Sequence, residues 1–160
     1  MKKERLSDSE LTAWRMFIKS YSKIIEQIEH DLSENKRVPL GTYDVLIALF
    51  EAPDKKLRLQ QLLDKVVLTK SGITRLADRL EREGLIRREV SETDRRGFYA
   101  VLTEEGEQQL RRAWPIYARG IKQYFAAPLS EDDIAVIGRA LQNIHRNMEA
   151  VRAQGTDEHA

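Results

Sequence analysis

Leu11, Trp14, Ile18, Tyr21, Ile25, Ile28 and Leu32 succeed one another in steps of three and four. That spacing lines side chains along one stripe of an α-helix, so a long first helix is predicted over residues 6–34, broken by Asn35 to Leu40. Near the other end Ile134, Ile137, Leu141, Ile144, Met148 and Val151 repeat the spacing. They follow Pro128 and a Ser130 with Asp133 three residues on, the arrangement of a helix start. Either seam can pack on its own chain's core. Two seams at opposite ends of so short a chain, with a compact unit between them, are better explained by a second copy, which makes 6–34 and 104–152 dimerisation helices. Within the latter, Glu104 to Phe125 reads as one long helix with a kink expected at Pro115, and Gln154 to Ala160 reads as a disordered tail.

Between the seams the pattern shortens. Thr42 to Phe50 is an apolar, helix-compatible run closed by the turn Glu51-Ala52-Pro53-Asp54. Leu59, Leu62, Leu63 and Val66 fit one face of a helix from about Arg58 to Val67, and Thr69 suits the N-cap of the next. From Lys70 to Glu83, Ile73, Leu76, Ala77 and Leu80 fall on one side, whereas Ser71, Thr74, Arg75, Asp78 and Arg82 fall on the other. Two short helices joined by a tight turn, the second showing hydroxyls and arginine outward near its start, is how a helix-turn-helix offers side chains to the major groove. Any solvated helix also carries charge outside, so the face alone does not decide the matter.

The following residues decide it. Gly84 ends the helix in the manner of a left-handed C-terminal residue, and Leu85–Val90 and Phe98–Thr103 read as two strands. Between them lies Ser91-Glu92-Thr93-Asp94-Arg95-Arg96-Gly97. A hairpin directly after such a helix, tipped by adjacent arginines, is a wing, and a flat, weakly hydrated guanidinium suits the negative potential of a narrow minor groove. Asp94 is either a plain turn residue or a carboxylate that orients a guanidinium before DNA arrives. The fold class is therefore mainly α with a small β-hairpin wing, a winged helix-turn-helix lobe over 42–103 within a single domain, 1–160.

Charge and composition narrow the function classes. The 27 Lys and Arg against 26 Asp and Glu leave a net charge of +1, so any basic surface is local. With no cysteine there is no disulfide framework, thiolate zinc site or thiol redox sensor, and His30, His145 and His159 lack metal-ligand spacing, so neither metal nor cofactor is expected. No nucleophile elbow, glycine-rich phosphate loop or histidine pair of catalytic spacing appears, which argues against an enzyme. The start of the chain lacks the apolar core of a secretory signal, and the longest apolar run, Val45 to Phe50, is too short for a bilayer. The expectation is a cytoplasmic protein without a membrane partner.

The segment from Thr69 to Arg88, with Gly72, Arg75, Leu76, Leu80 and Gly84-Leu85-Ile86, then Asp94-Arg95-Arg96-Gly97 and Val101-Leu102-Thr103-Glu104-Glu105-Gly106, resembles the MarR (multiple antibiotic resistance regulator) family. The resemblance implies a homodimeric transcriptional regulator on double-stranded DNA, with a recognition helix in the major groove and a wing in the minor groove of each half-site. By the family's Asp-x-Arg wing pattern, Arg96 would enter the minor groove, Asp94 would support it and Arg95 would meet phosphate. With Thr69, Lys70, Ser71, Thr74 and Arg75 these form the expected DNA-binding set. The resemblance also implies control by a small molecule, commonly a phenolic or other aromatic anion. Trp14, Phe17, Tyr21 and Tyr43 are the candidates to line its site, or else core and interface aromatics. A winged-helix interaction module without DNA binding is the alternative. Such modules tend to lose the tip arginines and the hydroxyl-and-arginine face that this chain keeps.

Overall fold

The structure, a computed structural model, describes residues 5–66, 70–90 and 98–157, with side chains for all of these but 70, 71 and 152–157. Its elements are α1 (Asp8–Glu34), α2 (Leu40–Phe50), a 3₁₀ turn (Pro53–Lys55), β1 (Lys56–Arg58), α3 (Leu59–Lys65), α4 (Lys70–Arg82), β2 (Ile86–Val90), β3 (Phe98–Leu102), α5 (Glu104–Gly120), a π-helical segment (Ile121–Ala126) and α6 (Glu131–Asp157). The chain divides into two compact units, Met1–Gly120 and Ile121–Ala160.

In the first unit α1 starts where the chemistry asks it to. Ser7 Oγ accepts from the Glu10 N–H at 3.2 Å while the Glu10 carboxylate accepts from the Ser7 N–H at 2.7 Å, a reciprocal capping box. Proline at the α2 N-cap has no side chain to offer. Glu29 of α1 supplies the missing acceptor, its carboxylate taking the Leu40 N–H at 3.2 Å. Ile28 and Leu32 of α1, Val45, Leu46 and Leu49 of α2, Leu62 of α3 and Ile73, Ala77 and Leu80 of α4 form one buried core with Ile86 and Ala100 of the sheet. Leu76, expected inward, is half-buried.

The wing sheet has an extra strand. Its order is β1-β3-β2, both pairs antiparallel, with Leu57 opposite Ala100 and Val90 opposite Phe98. The sequence predicted only the β2–β3 hairpin. With Leu57 as its one apolar residue, β1 is too short to show a period, and its backbone groups are satisfied by β3 rather than by any local preference.

The hairpin is rooted in a tight crossing. Gly84 takes φ of 73°, and a Schellman pair closes α4, with Leu85 N–H donating to Leu80 O at 2.9 Å and Gly84 N–H to Glu81 O at 3.0 Å. The Thr103 hydroxyl lies 2.7 Å from the Gly84 carbonyl and 2.9 Å from that of Leu85, and accepts the Gly106 N–H at 3.0 Å. One side chain thus caps α5 and ties it to the end of α4. Gly106 sits so close that a Cβ there would stand 2.1 Å from the Leu85 carbonyl oxygen. From this root α5 packs along α1 and α2. It runs unbroken through Pro115 to Gly120, where the expected helix to Phe125 gives way to the wider turns of Ile121–Ala126. The missing proline N–H removes one ladder bond from a helix already anchored by buried Leu110 and Ala113.

In the second unit α6 starts as the sequence suggests, Asp133 accepting from the Ser130 N–H and Ser130 Oγ from the Asp133 N–H, both at 3.1 Å. It continues to Asp157, past Gln154 where a disordered tail was expected, because Val151, Arg152, Ala153 and Gln154 carry no stop signal. Ile134, Leu141, Ile144, Met148 and Val151 leave much of their surface exposed.

Gly106→Ala is expected to lower stability by about 1–3 kcal/mol, because the added methyl meets backbone rather than a movable side chain. Gly138→Ala in α6, with nothing within 4 Å of its Cβ position, is expected to be neutral or slightly stabilising. Thermal unfolding of the two variants compares them directly, and equal melting temperatures would remove the steric role from Gly106.

Candidate nucleic-acid interface and effector groove

Burial of Ile73, Ala77 and Leu80 turns Thr74 and Arg75 outward, and both are exposed on the first turns of α4. Lys70 and Ser71 belong to the same first turn by backbone position. Thr69 and the wing tip with Asp94, Arg95 and Arg96 lie outside the described residues.

Further along α4 the described polar side chains Asp78, Arg79, Glu81 and Arg82 are paired within the chain, which sequence reading missed. Asp78, expected to face outward with Thr74 and Arg75, forms an ion pair with Arg88 of β2. The Glu81 carboxylate stands 3.2 Å from Arg88 Nε, and the same guanidinium lies over the Phe98 ring of β3 at 4.2 Å. Arg88 thereby fastens the hairpin to the helix and fixes the angle between them. Arg82 Nε donates to the Asp78 carbonyl at 3.3 Å. Arg79, itself exposed, pairs with Glu83 at 3.7 Å and reaches α2, its Nη2 donating to the hydroxyl of buried Thr42 at 2.9 Å. A helical wheel gives the side of a helix but not its neighbours, so these pairings left no sequence signal. On the outer sheet face Arg58 Nε donates to the Tyr99 hydroxyl at 3.2 Å, with Arg58 and Lys56 both over that ring.

A groove of about 690 Å³ runs between α2 and α5. From α2 come Tyr43, Asp44 and Phe50, with Glu51 at its C-cap; from α5 come Arg111, Trp114 and Tyr117. Tyr43 is 2% exposed and its ring lies 4.5 Å from that of Tyr117. Burial, reinforced by Tyr117, Asp44 and Glu51, pushes the Tyr43 hydroxyl up to about 12, and burial raises Tyr117 as well, so both stay protonated donors. Burial, then the nearby Glu29 carboxylate, pushes Asp44 up to about 6. Of the aromatics expected to line an effector site, Tyr43 lines this groove. Trp14, Phe17 and Tyr21 are not among the lining residues and stand exposed on α1, Trp14 at 60%. The α5 contributors were legible only in part, because Leu110, Ala113, Trp114 and Tyr117 follow helical spacing but nothing in sequence joins them to α2.

Among the described residues no three potential ligands gather as for a metal, and His145 pairs with Glu149 at 3.3 Å. Nor is any helix among them long and apolar enough to cross a membrane.

Residues 38–97, the span from α2 to the wing tip, match the model of the MarR family. The regulator YkoM of Bacillus subtilis, described as an uncharacterized HTH-type transcriptional regulator, is 30% identical over 129 residues, 79% of this chain and 82% of that protein. This chain belongs to the MarR family. It is a DNA-binding transcriptional regulator and not an enzyme, and the interaction-module alternative is not favoured. The structure of Sco3205, a MarR family regulator of Streptomyces coelicolor in complex with DNA, superposes with a TM-score of 0.83 at 27% identity, covering 92% of each chain. BpsR of Bordetella bronchiseptica, whose DNA binding is regulated by 6-hydroxynicotinic acid, shares the fold at 16% identity with a TM-score of 0.75 over 89% of this chain and 98% of its own.

Asp44 has a native value near 6 against an ordinary 3.8. Between the two the native state binds more protons than the unfolded chain, so stability falls as pH rises through that window and the charged carboxylate costs most above about pH 6. Asp44→Asn in this MarR protein removes that cost. Its melting temperature is expected to exceed the parent's by roughly 2–4 °C near pH 8 and to match it below about pH 4. A pH-independent difference in thermal scans would contradict the assignment.

Proposed function

We propose that the protein is a homodimeric repressor that covers a pseudo-palindromic operator and is released by a small aromatic molecule held in the α2–α5 groove. The observation that carries this reading is the exposed Thr74 and Arg75 at the start of a helix to which Arg88 fastens the wing. In this reading Thr69, Lys70, Ser71, Thr74 and Arg75 meet bases and phosphates of the major groove. Arg96 enters the minor groove, Asp94 orients it, and Arg95 takes phosphate. The single domain 1–160 then comprises the DNA-reading lobe 42–103 and the dimerisation helices 6–34 and 104–152. Support for the dimer comes from apolar side chains exposed on a lone chain: Trp14, Phe17 and Ile18 on α1, and Ile144, Met148 and Val151 on α6. The two recognition helices would sit about one turn apart along the duplex, roughly 34 Å. The DNA complex of Sco3205 supports duplex DNA as partner, and the regulation of BpsR by 6-hydroxynicotinic acid supports a small-molecule effector.

Affinity for the DNA upstream of the chain's own gene is expected to fall steeply with salt and to exceed that for random duplex. Arg96→Ala is expected to weaken it by about 1–3 kcal/mol, and unchanged affinity would remove Arg96 from the interface. Sedimentation at micromolar concentration is expected to give a dimer; a folded monomer would defeat the seam argument.

A further inference from the structure

The α2–α5 groove brings rings and carboxylates together in a way that sets the charge of its occupant. Asp44 of α2 and Glu51 at its C-cap, which keeps helical backbone angles, stand seven residues apart on one face, about 10 Å along the axis. Glu29 of α1 adds a third negative charge beside Asp44. The cation of the groove, Arg111, is already engaged, its guanidinium held by Glu107 at 2.6 and 3.2 Å. Lys55 joins the same carboxylate, and both cations lie over the Phe50 ring, at 5.3 and 5.8 Å. Lys65 of α3 lines an adjoining groove with Asp44 and Glu51 rather than this one. Tyr43 and Tyr117 are neutral donors.

What remains for a ligand is Trp114, 53% exposed and 6.3 Å edge-on to Tyr117, in a lining that also holds the Asp44 and Glu51 carboxylates. An indole face is the strongest side-chain surface for a cation, and the protein already uses this chemistry at Phe50. An aromatic acid would instead set its carboxylate against Asp44 and Glu51.

We infer that the groove takes an organic cation, an amine or quaternary onium carrying apolar bulk, rather than the aromatic anion that the family resemblance implies. This rests on reading the groove as the effector site. The fit is geometric as well as electrostatic, since about 690 Å³ is in the range of small-molecule sites. Occupancy also has a route to DNA. Thr42, immediately before Tyr43 in the chain, holds Arg79 of α4, so a shift of α2 reaches the recognition helix through one hydrogen bond.

Tetraphenylphosphonium and tetraphenylborate test the sign of the charge, being nearly the same shape with opposite charge. Calorimetric titration of the full chain is expected to give at least about tenfold tighter binding of the phosphonium, equivalent to about 1.4 kcal/mol. That preference should grow as pH is raised through about 6 and Asp44 ionises. Asp44→Asn and Glu51→Gln are each expected to weaken phosphonium binding severalfold without weakening borate, and thermal unfolding of each variant checks that it is folded. Equal or tighter binding of borate overturns the inference while leaving the groove an effector site. Phosphonium binding that ignores both substitutions overturns it as well. If neither ion binds, the effector-site reading falls with it, and operator binding, measured separately, is untouched by either failure.

Discussion

The fold turns on the place where the chain passes the Leu85 carbonyl against the backbone of Gly106. Three elements end or begin there: α4 closes on Gly84, β2 departs from Leu85, and α5 starts under the Thr103 hydroxyl. No side chain fits between the two backbones, so the wing's root is located relative to α5 by contact of main chain on main chain. Each hydrogen bond in the crossing is modest by itself. Their effect is geometric, because the long lever of α5 and the short hairpin share one fixed point. Arg88 adds a second, three residues on from Leu85 in β2, where Asp78, Glu81 and the Phe98 ring meet its guanidinium. Two fixed points define a direction, and the wing therefore has one relative to α4.

A parallel arrangement governs α2. Its first N–H is capped by Glu29 from another helix, and that carboxylate then sits close enough to disfavour charge on Asp44. The helix start and the electrostatics of the groove are consequently one problem solved by one side chain. An aspartate held half out of water beside another carboxylate is costly to the fold, and such costs cluster where a site has work to do.

Much of this was legible in residue order. The long helices declared themselves by spacing, the start of α6 by Ser130 with Asp133, the end of α4 by Gly84, and the hairpin by its two strand-like runs. What sequence could not give was anything decided by a distant neighbour. Strand β1 exists because β3 offers it a ladder, and Lys56-Leu57-Arg58 has no strand signature of its own. Asp78 fell on the outward polar face by spacing until Arg88 was seen beside it, and nothing in spacing joins Arg79 to Thr42. Tyr117 meets Tyr43 only after the chain has made the whole lobe between them. Trp14 and Tyr21 drew attention for being aromatic, yet both stand exposed on α1 whereas Tyr43 is buried, and Tyr21 approaches the groove only through its effect on Tyr117.

The place of α2 has a genetic consequence. In 11 residues it carries Thr42 against the recognition helix and Tyr43 and Asp44 in the groove. If the groove is the effector site proposed above, substitutions there alter inducer response and operator affinity together. Selections for either phenotype should therefore converge on this one short stretch, while alleles that separate the two lie elsewhere: at Trp114 and Tyr117 on the groove side, and at Thr74 and Arg75 on the outer turn of α4.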